Sequence, residues 1–167
     1  MYDELTEVDI RKMEEEIEYR RTVLGPKLLK EMSRTRDYGD LSENAEYKEA
    51  KREKRRNEGR IRYLENMIRT AKVIEVKKSD GRVGLFDRVT IYNERLGAEK
   101  KIQIVTTLRQ NALEGYVSKE SPLGTALLGK AVGERVLVKV NERMSYFVRI
   151  VSVEEAEDNE ALPISGY

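Results

Sequence analysis

Two long stretches of coiled-coil spacing, joined by one glycine-bearing turn, leave the N-terminal half of this chain little choice of fold. From about Val8 to Arg36 the residues are mostly Glu, Lys, Arg, Leu and Met, with apolar side chains at Met13, Ile17, Leu24, Leu28 and Met32. From Leu41 to about Ile74, the positions Tyr47, Ala50, Lys54, Asn57, Ile61, Leu64, Ile68 and Ala71 follow at intervals of three and four. Such spacing lines a narrow seam along one side of an α-helix. Two seams joined by a short turn bury each other by folding back, which predicts an antiparallel coiled-coil hairpin. Gly25-Pro26 interrupts the first seam. Proline lacks an amide donor and clashes with the preceding turn, so a kink or short break is expected there. At about 1.5 Å per residue, roughly 29 residues extend on the order of 40 Å, longer than one small core needs. Ile61, Leu64 and Ile68 fill the base of the seam, whereas Ala50, Lys54 and Asn57 leave its distal half thin in apolar burial.

After Lys77-Lys78-Ser79-Asp80-Gly81 the period changes from helical to alternating. Val89 and Ile91, Ile102 and Ile104, Val136, Val138 and Val140, then Tyr146, Val148 and Ile150 read as the inward faces of short strands. Pro122 to Gly129 is the one helical segment there, opened by Ser121-Pro122 and closed by a glycine. The fold class is therefore α+β: a coiled-coil finger over residues 1–76, then an antiparallel β domain with one short helix over residues 77–154. Residues 155–167 are acidic, contain Pro163 and Gly166, and read as a disordered tail.

Composition removes most chemistries. With no Cys and no His the chain lacks thiol nucleophiles, imidazole bases, disulfides and ordinary zinc ligands. No run of 18 apolar residues and no signal-peptide pattern occurs, so a cytoplasmic protein without membrane contact is expected. The 32 basic and 31 acidic side chains nearly cancel, leaving local patterning to carry any electrostatic role.

Two local patterns stand out. Asp40 and Glu43 lie in the turn between the two helices. They read either as an N-cap with an acidic capping box for the second helix, or as exposed carboxylates that complete a Mg²⁺ site held mainly by a partner. Between Lys48 and Arg62 eight basic residues face three acidic ones. At about 100° per residue, Lys48, Lys51, Arg52, Arg55 and Arg62 share one arc of the helix away from its seam. That arc is either a solvated face or a positive stripe for a phosphate backbone. Tyr38 and Tyr47 flank the turn and read as packing residues.

The run Gly39-Asp40-Leu41-Ser42-Glu43-Asn44-Ala45-Glu46-Tyr47, followed by Glu58-Gly59-Arg60-Ile61 and Ala71-Lys72-Val73-Ile74, resembles the N-terminal coiled coil of the bacterial Gre transcript-cleavage factors, in particular its GreA-like members. Ser121-Pro122-Leu123-Gly124 with Ala126-Leu127-Leu128-Gly129-Lys130 is similar to that family's C-terminal signature. The likeness covers roughly residues 5 to 154. It implies an FKBP-like C-terminal domain docked on RNA polymerase through Ser121, Pro122, Leu123 and Leu127, and a finger inserted in the polymerase's secondary channel. It also implies that Asp40 and Glu43 serve in trans as catalytic and metal-binding carboxylates for a Mg²⁺ held mainly by the polymerase. By the same resemblance Arg36, Lys51, Arg52 and Arg55 would contact the nascent RNA 3' segment. The factor would act as a monomer with no active site of its own. A Gre-like inhibitor of the same channel is the alternative. Two segments depart from the family pattern: Thr106 to Leu113 stands where an acidic loop is usual, and Asn141 to Ser145 replaces a glycine-containing hairpin.

Overall fold

The computed structural model describes residues 3–37, 44–77 and 80–166. The chain divides into two compact units. One comprises Met1–Asp3 and Val8–Lys72, the other Glu4–Glu7 and Val73–Tyr167. The expected boundary near residue 77 therefore moves to 72, and residues 4–7 join the second unit.

The first unit is helical. Helix α1 (Glu7–Tyr19) runs through a single π-helical turn, Arg20–Leu24, into α2 (Gly25–Arg36). The expected kink or break at Gly25-Pro26 takes this form instead. Proline cannot donate to the preceding turn, and the wider turn just before it absorbs the mismatch while the helix continues. Helix α3 (Ala45–Thr70) returns against α2. Met13, Ile17, Ala50 and Leu64 are buried along the seam, and so are the polar residues Asn57 and Arg60.

The second unit contains a five-stranded sheet in the order β5-β4-β3-β7-β6, formed by β3 (Arg88–Asn93), β4 (Ala98–Val105), β5 (Tyr116–Ser118), β6 (Arg135–Lys139) and β7 (Ser145–Glu154). Its pairs are antiparallel except one: β4 and β5 run parallel, with Ile104 opposite Val117. The sheet is thus mixed rather than wholly antiparallel. Alternation places Val89, Ile91, Ile102, Ile104, Val136, Val138, Val148 and Ile150 in one core, closed by Leu127 of the short helix α4 (Pro122–Leu127). Val140, expected to face inward, is exposed beyond the end of β6. Two further short strands, β1 (Glu4–Leu5) and β2 (Lys72–Val73), pair with each other. Leu5 is fully buried, Ile74 N–H donates to its carbonyl, and Glu4 forms an ion pair with Lys119.

The expected disordered tail is corrected as well. Residues 155–166 return to the segment Leu108–Arg109, where Asp158 pairs with the Arg109 guanidinium and the carbonyl of Asn159 accepts from it at 3.2 Å. Ser165 donates to the Leu108 carbonyl through its N–H, at 2.6 Å, and through its hydroxyl, at 2.7 Å. Arg109 also lies 5.4 Å over the Phe86 ring and is 1% exposed. An acidic composition suggested solvation, but a buried guanidinium gives these carboxylates and carbonyls a partner.

Candidate functional site

The helix ends that flank the turn are tied together by one side chain. Asn44 is the N-cap of α3: its Oδ1 accepts from Tyr47 N–H at 3.0 Å, while its Nδ2 donates to the Thr35 carbonyl at 2.6 Å. Thr35 is itself buried and donates to the carbonyls of Glu31 and Met32. Asn44 therefore satisfies a first-turn donor of one helix and a last-turn acceptor of the other. The helix begins at Ala45, not near Leu41, and the cap is Asn44 rather than Asp40. Asp40 and Glu43, with Tyr38, lie outside the described residues.

Behind the turn, Arg36 is exposed in the last turn of α2, and Lys48, Lys51, Arg52 and Arg55 are exposed on α3. Arg52 is engaged with Glu49 at 2.8 Å. Arg56 pairs with Glu53 at 2.5 Å, and Lys54 with Glu58 at 2.6 Å. Glu58 is held below the usual carboxylate range by its hydrogen bond from Lys54, with the charges of Lys54, Arg62 and Arg55 adding to it. Exposed pairs such as Arg52 with Glu49 contribute little and leave the guanidinium available to other anions.

The docking segment is only partly as expected. Ser121 caps α4, its hydroxyl accepting from Gly124 N–H at 3.0 Å, and Pro122 is exposed at the first helical position. Gly124 is obligatory, since a Cβ there would sit 2.1 Å from the Ser118 carbonyl oxygen. Leu123 is half-buried against the core, and Leu127 is fully buried within it. Leu127 is therefore a core residue and is withdrawn as a contact residue. Pro122 and Ser121 are the members of the predicted set that reach the surface.

Sequence reasoning missed Asn44, and also a buried polar group at mid-hairpin. Arg20 Nη1 donates to Asn57 Oδ1 at 3.0 Å, and Asn57 Nδ2 donates to the Arg20 carbonyl at 3.3 Å. Glu16 accepts from Arg20 at 3.2 Å and from Arg60 at 3.1 Å. Asn57 was the available signal, a polar residue on the seam where an apolar side chain is usual; nothing in the spacing singles out Arg60.

The described residues thus form a helical hairpin with a basic flank and a separate mixed-sheet unit. Comparison with known proteins gives the family. Residues 4–73 match the N-terminal domain model of GreA/GreB transcription elongation factors, and residues 69–155 match the C-terminal domain model. The chain is 40% identical over 139 residues to transcription elongation factor GreA of Caldanaerobacter subterraneus subsp. tengcongensis, covering 81% of this chain and 87% of that protein. It is 42% identical over 129 residues to the Bacillus subtilis protein of the same name, covering 77% and 82%. Among solved structures, GreA factor homolog 1 of Thermus thermophilus aligns over 93% of this chain and all of its own, with 25% identity and a TM-score of 0.42. The chain belongs to the GreA/GreB family of transcription elongation factors. Among the described residues no helix is long and apolar enough to cross a membrane.

Proposed function

We propose that this chain inserts its hairpin into the secondary channel of RNA polymerase and stimulates the polymerase's own hydrolysis of backtracked RNA, as a monomeric accessory factor rather than an enzyme. The observation that carries the reading is the Asn44 bridge between Thr35 and Tyr47. It ties together the two helix ends between which residues 38–43, with Asp40 and Glu43 among them, lie in sequence.

Among the described residues no three carboxylates gather in a way that would hold a metal, whereas two tip carboxylates are hard oxygen donors of the kind Mg²⁺ takes alongside other ligands. Asp40 and Glu43 would supply part of such a set, with the polymerase supplying the rest. A Mg²⁺ there would polarise a phosphoryl oxygen and activate water for phosphodiester hydrolysis. The chain's own residues position the tip, hold the extruded RNA 3' segment along Arg36, Lys51, Arg52 and Arg55, and dock the second unit through Ser121 and Pro122. A carboxylate at Asp40 or Glu43 also orients the attacking water by accepting its hydrogen bond.

The test uses a stalled, backtracked elongation complex. Asp40→Ala and Glu43→Ala should each abolish stimulated cleavage while polymerase affinity stays near that of the wild type. Because Asn44 caps α3, neither change should lower the melting temperature appreciably. Equal loss of binding and cleavage would reject the assignment. Wild-type protein that binds and blocks cleavage would favour the inhibitor reading.

A further inference from the structure

We propose that Asn57, acting through the π-helical turn at Arg20, locks the axial register of the hairpin and is thereby a positioning residue for the tip. The functional half of this inference rests on the reading of Asp40 and Glu43 given above.

Packing in the distal seam discriminates weakly between registers. There Leu24, Leu28, Met32 and Tyr47 are only half-buried and face Ala50 and Lys54, small or polar, whereas the fully or nearly fully buried side chains Leu64, Ile17 and Met13 lie toward the base. Sliding α3 by one turn, about 5.4 Å, would cost the distal half less apolar contact than the base. Polar groups supply the discrimination. In a regular α-helix the Arg20 carbonyl would accept from residue 24. Here it accepts from Gly25 N–H, one residue further on, and turns outward toward α3. Gly25 keeps that space open: a Cβ would lie 2.8 Å from the Arg20 oxygen and 3.7 Å from Asn57 Nδ2. The Asn57 amide then meets both ends of one residue, donating to the Arg20 carbonyl at 3.3 Å and accepting from its guanidinium at 3.0 Å.

Glu16 extends the arrangement by bridging Arg20 to Arg60, which is 5% exposed, as is Asn57. A slipped register would leave these groups buried and unmatched, which is costly out of proportion to what the bonds contribute when made. A buried amide at a seam position characteristically trades stability for a single register. The π turn offers its displaced carbonyl at one height only.

The chain has no cysteine, so introduced pairs report register without background. Arg21 and Glu65 face each other across the hairpin as an exposed ion pair. Arg21→Cys is combined with Glu65→Cys for the native register, and with Arg62→Cys or Arg69→Cys for slips of about one turn, all exposed positions, and each pair is joined with a short bismaleimide in the full-length protein. With Asn57 present, only the 21–65 pair should crosslink efficiently. With Asn57→Leu, the slipped pairs should crosslink at rates comparable to 21–65, while the melting temperature holds or rises. Stimulated cleavage should fall by up to about 100-fold, the scale set by an ångström-range misplacement, with polymerase affinity unchanged. Crosslinking 21 to 65 in the Asn57→Leu protein should restore it. Gly25→Ala should reproduce the slip and serves as the second variant if Asn57→Leu folds poorly.

Exclusive 21–65 crosslinking in both variants would overturn the lock. Slipped crosslinks with undiminished cleavage would overturn the positioning role. Absence of cleavage with wild-type protein would instead refute the function proposed above, and the lock would be judged on the crosslinks.

Discussion

Leu127 and Pro122 sit five residues apart on one short helix and face opposite demands. Leu127 is fully buried among Val136, Val138 and Ile150, so Leu127→Asp places an unpaired carboxylate in a dry core and should unfold the second unit. Pro122→Ala, at an exposed first-turn position, should change stability by less than about 0.5 kcal/mol and weaken polymerase binding. Circular dichroism together with an affinity measurement separates the two. A stable Leu127→Asp protein would show that the helix packs elsewhere. At this scale the sequence was legible in part: the capping serine and the helix-opening proline were visible in Ser121-Pro122, whereas the need for Gly124, set by the nearby Ser118 carbonyl, was not. Which leucine faced the core was not, because a six-residue helix is too short for its period to declare a face.

Among the elements, α3 shows how far a cap governs a site. Asn44→Ala removes the bond to Tyr47 N–H and the bond to the Thr35 carbonyl, and should cost about 1–2 kcal/mol. Thermal melts should show that loss, and cleavage should fall with it because the ends of the turn are no longer held. Asp40→Ala should show the loss of cleavage alone. On the same helix, Lys51→Glu with Arg55→Glu should weaken crosslinking to the RNA 3' segment most for extensively backtracked complexes. The mutant should also show a shallower dependence of binding on log salt, since each phosphate contact contributes to that slope. Identical salt slopes for mutant and wild type would make the stripe a solvated face.

The element boundaries were read to within a few residues from the spacing of Tyr47, Ala50, Leu64 and Ile68. Two features escaped. The Gly25-Pro26 signal announced an irregularity but not its kind, because a π turn and a kink answer the same missing donor. Asp40 stood as one candidate for the cap, because aspartate and asparagine are equally good caps. Only the second bond of Asn44, across to the other helix, decides between them, and that contact is tertiary. The parallel pairing of β4 with β5 was also beyond alternation, which fixes faces but not strand directions.

For the molecule as a whole, the second unit is discontinuous in sequence: residues 4–7 belong with 73–167, and the entire hairpin lies between them. A fragment beginning near Lys77 lacks Leu5, which is fully buried, and Glu4, the partner of Lys119. Such a fragment should be less stable than the same unit in the full chain by about 2–5 kcal/mol, the usual cost of losing a large buried aliphatic side chain. Joining residues 3–8 to residue 72 through a short glycine-serine linker should recover most of the difference in urea titrations. A fragment as stable as the intact unit would mean that β1 contributes nothing to it.

That discontinuity has a consequence for how the protein is made. A ribosome releases β1 about 65 residues before β2, the strand it pairs with, at roughly 5–20 residues per second. The hairpin, built from neighbours in sequence, can close while translation continues, because local contacts cost little loop entropy. Leu5 must wait at least until β2 and Ile74, whose N–H donates to its carbonyl, have emerged. The hairpin helices precede the five-stranded sheet in sequence, so they are complete while most of the core of the second unit is still untranslated.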